Sequence, residues 1–225
     1  MTTDVTTIKV QGLLFDNDGV LIDSTAAVEA SWRAFASWYD LPADEVLARV
    51  HGRRSRDVIG AYSDRLPVPP DEAFRRYIEA CVSDFADVTV LPGAAELISA
   101  LPVSGWAVVT SGTAVVTQAR MAAAGLSAPP VIITADDVPV GKPDPAPYRI
   151  ASERLQLDPA DCLVIEDSPA GLSSAHAAGC RTLGLLTTHH QHELEADFYA
   201  SNLSDVRAIE NGRFSVTVEG ARRHR

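Results

Sequence analysis

Five short apolar runs along the chain have the pattern of strands buried in a sheet. The runs span residues 8–15, 106–110, 131–134, 163–166 and 182–186. Amphipathic helical spacing follows in the segments between and before them, at residues 94–100, 113–124, 145–155 and 170–178. Strands that alternate with helices of this length predict βαβ units and a parallel sheet with helices on both faces. The pattern therefore predicts an α/β core of the doubly wound, Rossmann-like class.

One long interval after the first predicted strand interrupts this alternation. Helical patterns cover residues 25–38, 43–50, 56–63 and 71–87. Pro70 and Asp71 are residues that commonly begin a helix, and they are expected to start the last of the four. We therefore predict a small all-helical cap domain at residues 24–89, inserted into an α/β core domain of residues 1–23 and 90–225. Such an insert would cover the carboxyl ends of the strands, where open α/β sheets bind ligands.

Two smaller patterns concern packing. Residues 214–218 alternate like a short edge strand, and residues 221–225 are expected to form a frayed tail. Four aromatic residues of the insert lie at helical spacing, and we interpret them as its packed core rather than as a sugar-stacking face: Trp32, Phe35, Trp38 and Tyr39.

The composition fits this architecture and narrows the partners. The chain has 225 residues, 46% hydrophobic and 22% charged, which suits a main domain with a smaller insert. Its formal net charge of −11 repels phosphate backbones and anionic membranes, so neither nucleic acid nor a membrane is an expected partner. Three cysteines without a CxxC pair argue against a disulfide framework and a zinc knuckle. The amino terminus lacks a signal-peptide pattern, so we expect a cytoplasmic protein.

Acidic side chains are concentrated where two of the predicted strands end. Asp16 and Asp18 follow the first strand, and Glu166 and Asp167 end the fourth. The first pair alone is also compatible with an ordinary turn, since Asp, Asn and Gly are common turn residues. The carboxyl ends of parallel strands, however, bring their side chains into one crevice. Four carboxylates there suit an oxygen-preferring cation such as Mg²⁺.

Two other strand ends carry groups that favour an anion. Residues 110–113 gather hydroxyls and backbone N–H groups at a predicted helix start, which suits a phosphate, although an ordinary N-cap has the same composition. Lys142 lies in a loop stiffened by Pro143 and Pro145. Its ammonium could meet a phosphoryl oxygen or a carboxylate, although a solvated surface lysine is the alternative interpretation.

These four segments, in this order, resemble the four motifs of the haloacid dehalogenase-like hydrolase superfamily. The matching segments are residues 14–24, 109–113, 141–145 and 166–171. The resemblance covers nearly the whole chain, and the helical insert is similar to the small helical cap of that superfamily. Within it, residues 51–54, 106–113 and 141–148 look most like the phosphatases of small sugar and polyol phosphates, such as glycerol phosphate, 2-deoxyglucose 6-phosphate and hexitol phosphates.

The resemblance implies a role for each motif residue. Asp16 would be the nucleophile that forms an aspartyl-phosphate, and Asp18 would be the general acid and base. Asp16, the backbone carbonyl of Asp18 and Asp167 would hold Mg²⁺, with support from Glu166 through water. The phosphoryl oxygens would be bound by Thr110, the N–H of Ser111, the neighbouring Gly112 and Lys142. The acid at position 18 argues against a haloacid dehalogenase, because relatives with that activity lack it.

Substrate specificity is expected to come from a loop of the cap. The expected partner is a small phosphorylated metabolite, and the expected oligomeric state is a monomer. The candidate loop is His51, Gly52, Arg53 and Arg54, although it could also be a solvated basic helix start. One rival function is a phosphosugar mutase, which resembles the phosphatases in all four motifs. Another is a receiver-like signalling module, whose acids lie on different strands and whose length leaves no room for an insert.

Overall fold

A parallel sheet forms the centre of the computed structural model, which describes residues 5–50, 52–83, 87–102, 104–127, 129–210, 214–219 and 222–223. The strands are β1 (Val5–Val10), β2 (Gly12–Phe15), β3 (Ile22–Asp23), β4 (Thr89–Val90), β5 (Trp106–Val109), β6 (Ile132–Ile133), β7 (Cys162–Glu166), β8 (Arg181–Leu185), β9 (Phe198–Ala200), β10 (Val206–Glu210), β11 (Phe214–Glu219) and β12 (Arg222–Arg223). The helices are α1 (Thr25–Trp38), α2 (Ala43–Leu47), α3 (Ser55–Gly60), α4 (Pro70–Cys81), α5 (Ala94–Ala100), α6 (Ala114–Ala123), α7 (Ala146–Arg154) and α8 (Pro169–Ala178).

The central sheet confirms the predicted doubly wound core. Its strand order is β12-β9-β8-β7-β2-β5-β6, and every pair is parallel except β12 with β9. Strands β2, β5 and β7 are buried along their whole length. Continuous apolar strands of this kind are typical of a parallel sheet that is covered on both faces. Their carboxyl ends therefore lie side by side at one edge of the sheet.

The first predicted strand is wrong in one respect, because residues 8–15 belong to two strands. Strand β1 ends at Val10 and pairs with β11 in a separate antiparallel sheet of order β1-β11-β10, whereas β2 begins at Gly12 in the central sheet. The burial patterns differ accordingly. Ile8 and Val10 are buried while Lys9 is exposed, as expected for a strand with one solvated face, but all of β2 is buried. An apolar run alone does not reveal this change of sheet.

The carboxyl-terminal predictions also need correction. The strand predicted at residues 214–218 is central in the small sheet, not at its edge, because β1 and β10 pair with its two sides. Residues 222–223 of the predicted frayed tail pair with β9, while residues 221, 224 and 225 lie outside the described part of the chain. The pairing with β1 joins segments some 200 residues apart, so alternation within residues 214–218 could not show that this strand is central.

Four helices lie between β3 and β4, in the interval where the sequence has helical patterns. The two strands pair antiparallel, so the chain leaves and re-enters the core at one place. Helix α4 begins at Pro70, as expected, and α2, α3 and α4 end earlier than predicted, at Leu47, Gly60 and Cys81. We call helices α1–α4 with their connecting loops the helical insert. It has its own buried apolar cluster around Trp32, Phe35 and other residues. No helix in the described ranges is long and apolar enough to cross a membrane.

Candidate active site

The edge of the central sheet where β2, β5 and β7 end brings most of the predicted site residues together. Asp16 follows β2, Thr110 follows β5, and Glu166 is the last residue of β7. Because β2 lies between β5 and β7 in parallel register, their following residues are neighbours. All three side chains are buried. The fold thus concentrates polar groups at one apolar sheet edge.

The buried ammonium of Lys142 connects these groups. It donates hydrogen bonds to Asp16 Oδ1 at 2.6 Å, to Glu166 Oε1 at 2.7 Å and to the Val109 carbonyl at 3.0 Å. Burial acts to lower the pKa of Lys142, but the carboxylates of Asp16 and Glu166 outweigh it and raise the pKa. The three N–H groups of a charged ammonium therefore all have acceptors. The solvated-lysine alternative does not describe this residue.

Glu166 is the most completely hydrogen-bonded acid of the site. Its Oε2 accepts bonds of 2.9 Å from the Asp167 N–H and from the N–H and hydroxyl of Ser168. Its Oε1 accepts from Lys142 and from the Tyr148 hydroxyl, the latter at 3.1 Å. Burial acts to raise the pKa of Glu166, but Lys142 and these hydrogen bonds lower it. Glu166 is therefore a charged anchor whose oxygens are occupied by protein groups.

Three carboxylates at this edge could hold a metal ion. Asp16, Glu166 and Asp167 each offer an oxygen within 4.8 Å of the others, and all three are buried. Burial, opposed in part by Lys142, raises the pKa of Asp16 to about 7, and burial with the neighbouring acids raises the pKa of Asp167 well above its usual range. Three acids thus share one lysine, and a cation would offset the excess charge. The donor set, which consists only of oxygens, fits a hard divalent ion.

Gly19 leaves the space that Asp167 needs. Its φ is +84°, a conformation that residues with a side chain rarely adopt, and a Cβ there would lie 2.1 Å from Asp167 Oδ2. The turn after β2 therefore approaches the Asp167 carboxylate more closely than any other amino acid would permit. This approach keeps Asp18 and Asp167 in one crevice.

Asp18 is held by Arg120, a residue outside the predicted site. Its Oδ1 accepts hydrogen bonds from the Ser24 hydroxyl and from the Arg120 guanidinium, the latter at 2.9 Å. Arg120 is a buried residue of α6. A signal for it exists in the sequence, because Thr113, Thr117 and Arg120 are polar residues at i, i+4 and i+7 and thus share one face of this helix.

The loop from β5 to α6 has the predicted polar groups. Thr110 Oγ1 accepts a 3.0 Å hydrogen bond from the Gly112 N–H, and Ser111 Oγ donates to the Gly52 carbonyl of the helical insert at 3.0 Å. Thr113 Oγ1 is buried and has no hydrogen-bond partner among the described residues. These groups surround the amino terminus of α6, where backbone N–H groups and the helix dipole favour an anion.

The predicted cap loop divides into residues that face the cavity and one that does not. Gly52 and Arg53 line the cavity with Ser55. Arg54 instead donates hydrogen bonds to the carbonyls of Val138 and Pro139 at 2.9 and 3.0 Å, and it forms an ion pair with Asp57. The structure therefore places Arg54 between the insert and the core rather than against a substrate. His51 lies outside the described residues.

The cavity between core and insert is small and has two different walls. It has a volume of about 120 Å³, well below the ~300–1,000 Å³ of pockets for drug-sized ligands. Asp16, Asp18, Thr110 and Asp167 line it from the core. The insert contributes mainly apolar and aromatic side chains: Val28, Trp32, Val50, Tyr77 and Ile78. Trp32 therefore belongs to the insert core, as predicted, and also borders the cavity.

Comparison with known proteins agrees with this site. Residues 10–179 match the family model of the haloacid dehalogenase-like hydrolases. The chain is 40% identical to hexitol phosphatase A of Escherichia coli K12 over 94% of this chain and all of that protein. It is 35% identical to glycerol-1-phosphate phosphohydrolase 2 of Saccharomyces cerevisiae over 98% and 89% of the two chains. A hydrolase from Pseudomonas syringae has a similar structure, with a TM-score of 0.76, 25% identity and coverage of 86% and 94%. This chain belongs to the haloacid dehalogenase-like hydrolase family.

Proposed function

We propose that this enzyme is a Mg²⁺-dependent phosphatase that hydrolyses small sugar or polyol phosphates through a phosphorylated Asp16. The observation that carries the proposal is the arrangement of Asp16 and Asp18, which line one cavity while each is held by a cation, Lys142 for Asp16 and Arg120 for Asp18. One carboxylate can then attack phosphorus while the other exchanges a proton. The names of the two curated relatives, a hexitol phosphatase and a glycerol-1-phosphate phosphohydrolase, support the substrate class.

In the first step, an Asp16 carboxylate oxygen forms a bond to phosphorus and the bond between phosphorus and the leaving oxygen breaks. Asp18 gives its proton to that oxygen, so the leaving group departs as an alcohol. The hydrogen bond from Lys142 to Asp16 Oδ1 orients the nucleophile and leaves Oδ2 for the attack. Asp16 thus forms the bond to phosphorus, and Asp18 transfers the proton.

In the second step, water attacks the phosphorus of the aspartyl-phosphate. Asp18, now ionised, takes a proton from this water, and the bond between phosphorus and Asp16 breaks. The products are inorganic phosphate and a free Asp16 carboxylate, while Asp18 is protonated again. Both residues return to their starting state.

The remaining motif residues would bind the metal and the phosphoryl oxygens. Asp16, Asp167 and the backbone carbonyl of Asp18 would hold Mg²⁺, and Glu166 would act in support, since its own oxygens are already hydrogen-bonded. The ion would supply positive charge to the phosphoryl group. Thr110, the N–H groups of Ser111 and Gly112, and Lys142 would complete the cradle.

We further propose that residues 24–89 act as the cap domain of this enzyme. The cavity wall from the insert, with Gly52 and Arg53, would surround the leaving group. A Cβ at Gly52 would lie 2.8 Å from Ser168 Oγ, so the loop reaches the core only because position 52 has no side chain. A cytoplasmic monomer acting on a diffusible metabolite stays our prediction.

The test is phosphate release from a panel of sugar, polyol and nucleotide monophosphates, with and without Mg²⁺. We expect metal-dependent release from small sugar or polyol phosphates, strongly reduced in Asp16→Asn and Asp18→Asn and retained in Asp64→Asn, an exposed acid of the insert. The metal-dependent release should rank polyol phosphates above nucleotides. A hexose phosphate that is isomerised without phosphate release would instead indicate a mutase.

A further inference from the structure

Arg120 is a buried cation that the two reaction steps above do not use. It lies on the core helix α6, its side chain is 7% exposed, and it lines the cavity on the side of the insert residues Tyr77 and Cys81. Burial acts to lower the pKa of Arg120, but Asp18 and these two neighbours outweigh it and raise the pKa. The guanidinium is thus charged and held beside Asp18 at the cavity wall.

The two oxygens of the Asp18 carboxylate have different surroundings. Oδ1 accepts from Arg120 on the core side and from Ser24, which precedes the first helix of the insert. Within the described ranges, Oδ2 is bound by Asn17 Nδ2 alone, at 3.2 Å. Two donors from different elements therefore fix the rotation of the carboxylate through Oδ1. Oδ2 is the oxygen left to meet a leaving group.

We propose that Arg120 is a positioning residue of this phosphatase, which holds Asp18 by Oδ1 so that Oδ2 is directed at the leaving oxygen. The inference rests on the proposed function, because it concerns the proton that Asp18 gives to the departing alkoxide. Arg120 contributes to the step in which the bond to the leaving group breaks, and it acts through Asp18. Its contribution therefore depends on how much the leaving group needs a proton.

Two substrates separate this role from a structural one. A sugar or polyol phosphate releases a strongly basic alkoxide that needs a proton, whereas 4-nitrophenyl phosphate releases a stable anion that does not. For Arg120→Met we expect kcat/KM to fall roughly 10²-fold or more with the polyol phosphate, the lower range of general-acid contributions, and less than about 10-fold with the nitrophenyl ester. Arg120→Lys, which keeps the charge, should restore part of the loss.

Further variants connect the effect to Asp18. The double variant Asp18→Asn, Arg120→Met should be little worse than Asp18→Asn alone, because the two residues act as one unit. Ser24→Ala removes the other Oδ1 donor and should cause the same selective loss, which gives a second test if Arg120→Met does not fold. Arg154→Met is the matched control, since Arg154 forms a 2.8 Å ion pair with Asp137 away from the cavity. It should leave both substrates unaffected.

Equal losses on the two substrates would show a merely structural role and overturn the inference, as would additive losses in the double variant. Either result leaves the proposed phosphatase standing, because the wild-type enzyme would still hydrolyse both esters. A wild-type enzyme that releases no phosphate from any ester would overturn the proposed function together with this inference. Melting temperatures of all variants identify any loss of fold.

Discussion

The two walls of the cavity are built by opposite means. The acids of the core wall are backed by a buried hydrogen-bond network, in which Lys142 binds two carboxylates and a carbonyl and Glu166 accepts five hydrogen bonds. On the insert wall, rings pack on rings, with Trp32 and Tyr77 centroids 4.1 Å apart and tilted by 30°. One wall is set by hydrogen-bond geometry and the other by shape.

This difference separates chemistry from choice of substrate. A hydrogen-bonded network holds charged groups within tenths of an ångström, which a phosphoryl transfer requires. An apolar wall adapts by exchange of side chains of similar size, at a cost that is usually below about 1.5 kcal/mol. Changes to the core wall should therefore affect all sugar and polyol phosphates alike, because their leaving groups need the same chemistry, whereas changes to the insert wall should alter the ranking within this class.

Among the changes to the core wall, removal of the metal should have the largest effect on activity and stability. With EDTA we expect phosphate release to stop for all substrates and the melting temperature to fall, since Asp16, Glu166 and Asp167 then share only Lys142. Mg²⁺ at about 100 times its Kd should restore roughly 2.7 kcal/mol of stability. Calorimetry with and without Mg²⁺ measures both changes.

Asp167→Asn provides the matching control for the metal. A carboxyl whose folded pKa is raised costs folding free energy above its unfolded pKa, so the neutral amide should make the metal-free protein more stable at neutral pH. The same variant should lose the Mg²⁺-dependent rise in melting temperature and all turnover. A variant that still responds to Mg²⁺ like the wild type would contradict the assignment of Asp167.

Loss of the buried lysine should be the next largest effect. Lys142→Met leaves Asp16 and Glu166 without their counter-ion, and breaking a buried pair in this way costs about 3–5 kcal/mol. We also expect kcat to fall about 10²–10³-fold for every substrate, as when one fixed donor to an oxyanion is removed. Urea unfolding and steady-state kinetics measure the two effects. Lys9, the chain's only other lysine, is exposed, so Lys9→Met should change neither the stability nor kcat. Losses in Lys9→Met as large as those in Lys142→Met would refute the assignment of the effects to the buried ion pairs.

The core wall could be predicted from the sequence far better than the insert wall. Each of its acids follows or ends an apolar run, and parallel strands bring such ends together whatever the details of packing. Lys142 is placed less directly, because it lies eight positions after the predicted strand at residues 131–134. The division of residues 8–15 into β1 and β2 at Gln11 was not predictable, because the partner of β1 is a strand some 200 residues away. Contacts between the walls are also long-range. Arg54 of the insert binds the Val138 carbonyl, 84 positions away, and Ser111 of the core binds the Gly52 carbonyl, 59 positions away.

Two adjacent arginines give the finest test of the comparison, with the smallest expected effects. Arg53 lines the cavity, while Arg54 binds the Val138 and Pro139 carbonyls next to the Lys142 loop. Arg53→Met should raise KM several-fold for some substrates and change their ranking. Arg54→Met loses hydrogen bonds worth about 1.5–3 kcal/mol between the insert and the core, so it should lower kcat/KM roughly 10-fold for all substrates.

The two variants have the same side-chain volumes before and after the change, so each is the control for the other. Their kcat/KM values over the substrate panel decide the matter, with melting temperatures measured beside them. If Arg54→Met changed the ranking and Arg53→Met did not, the insert would select substrates through its junction with the core rather than through its cavity wall. In that case the core wall would not be limited to catalysis, nor the insert wall to substrate selection, at the position where the two walls meet.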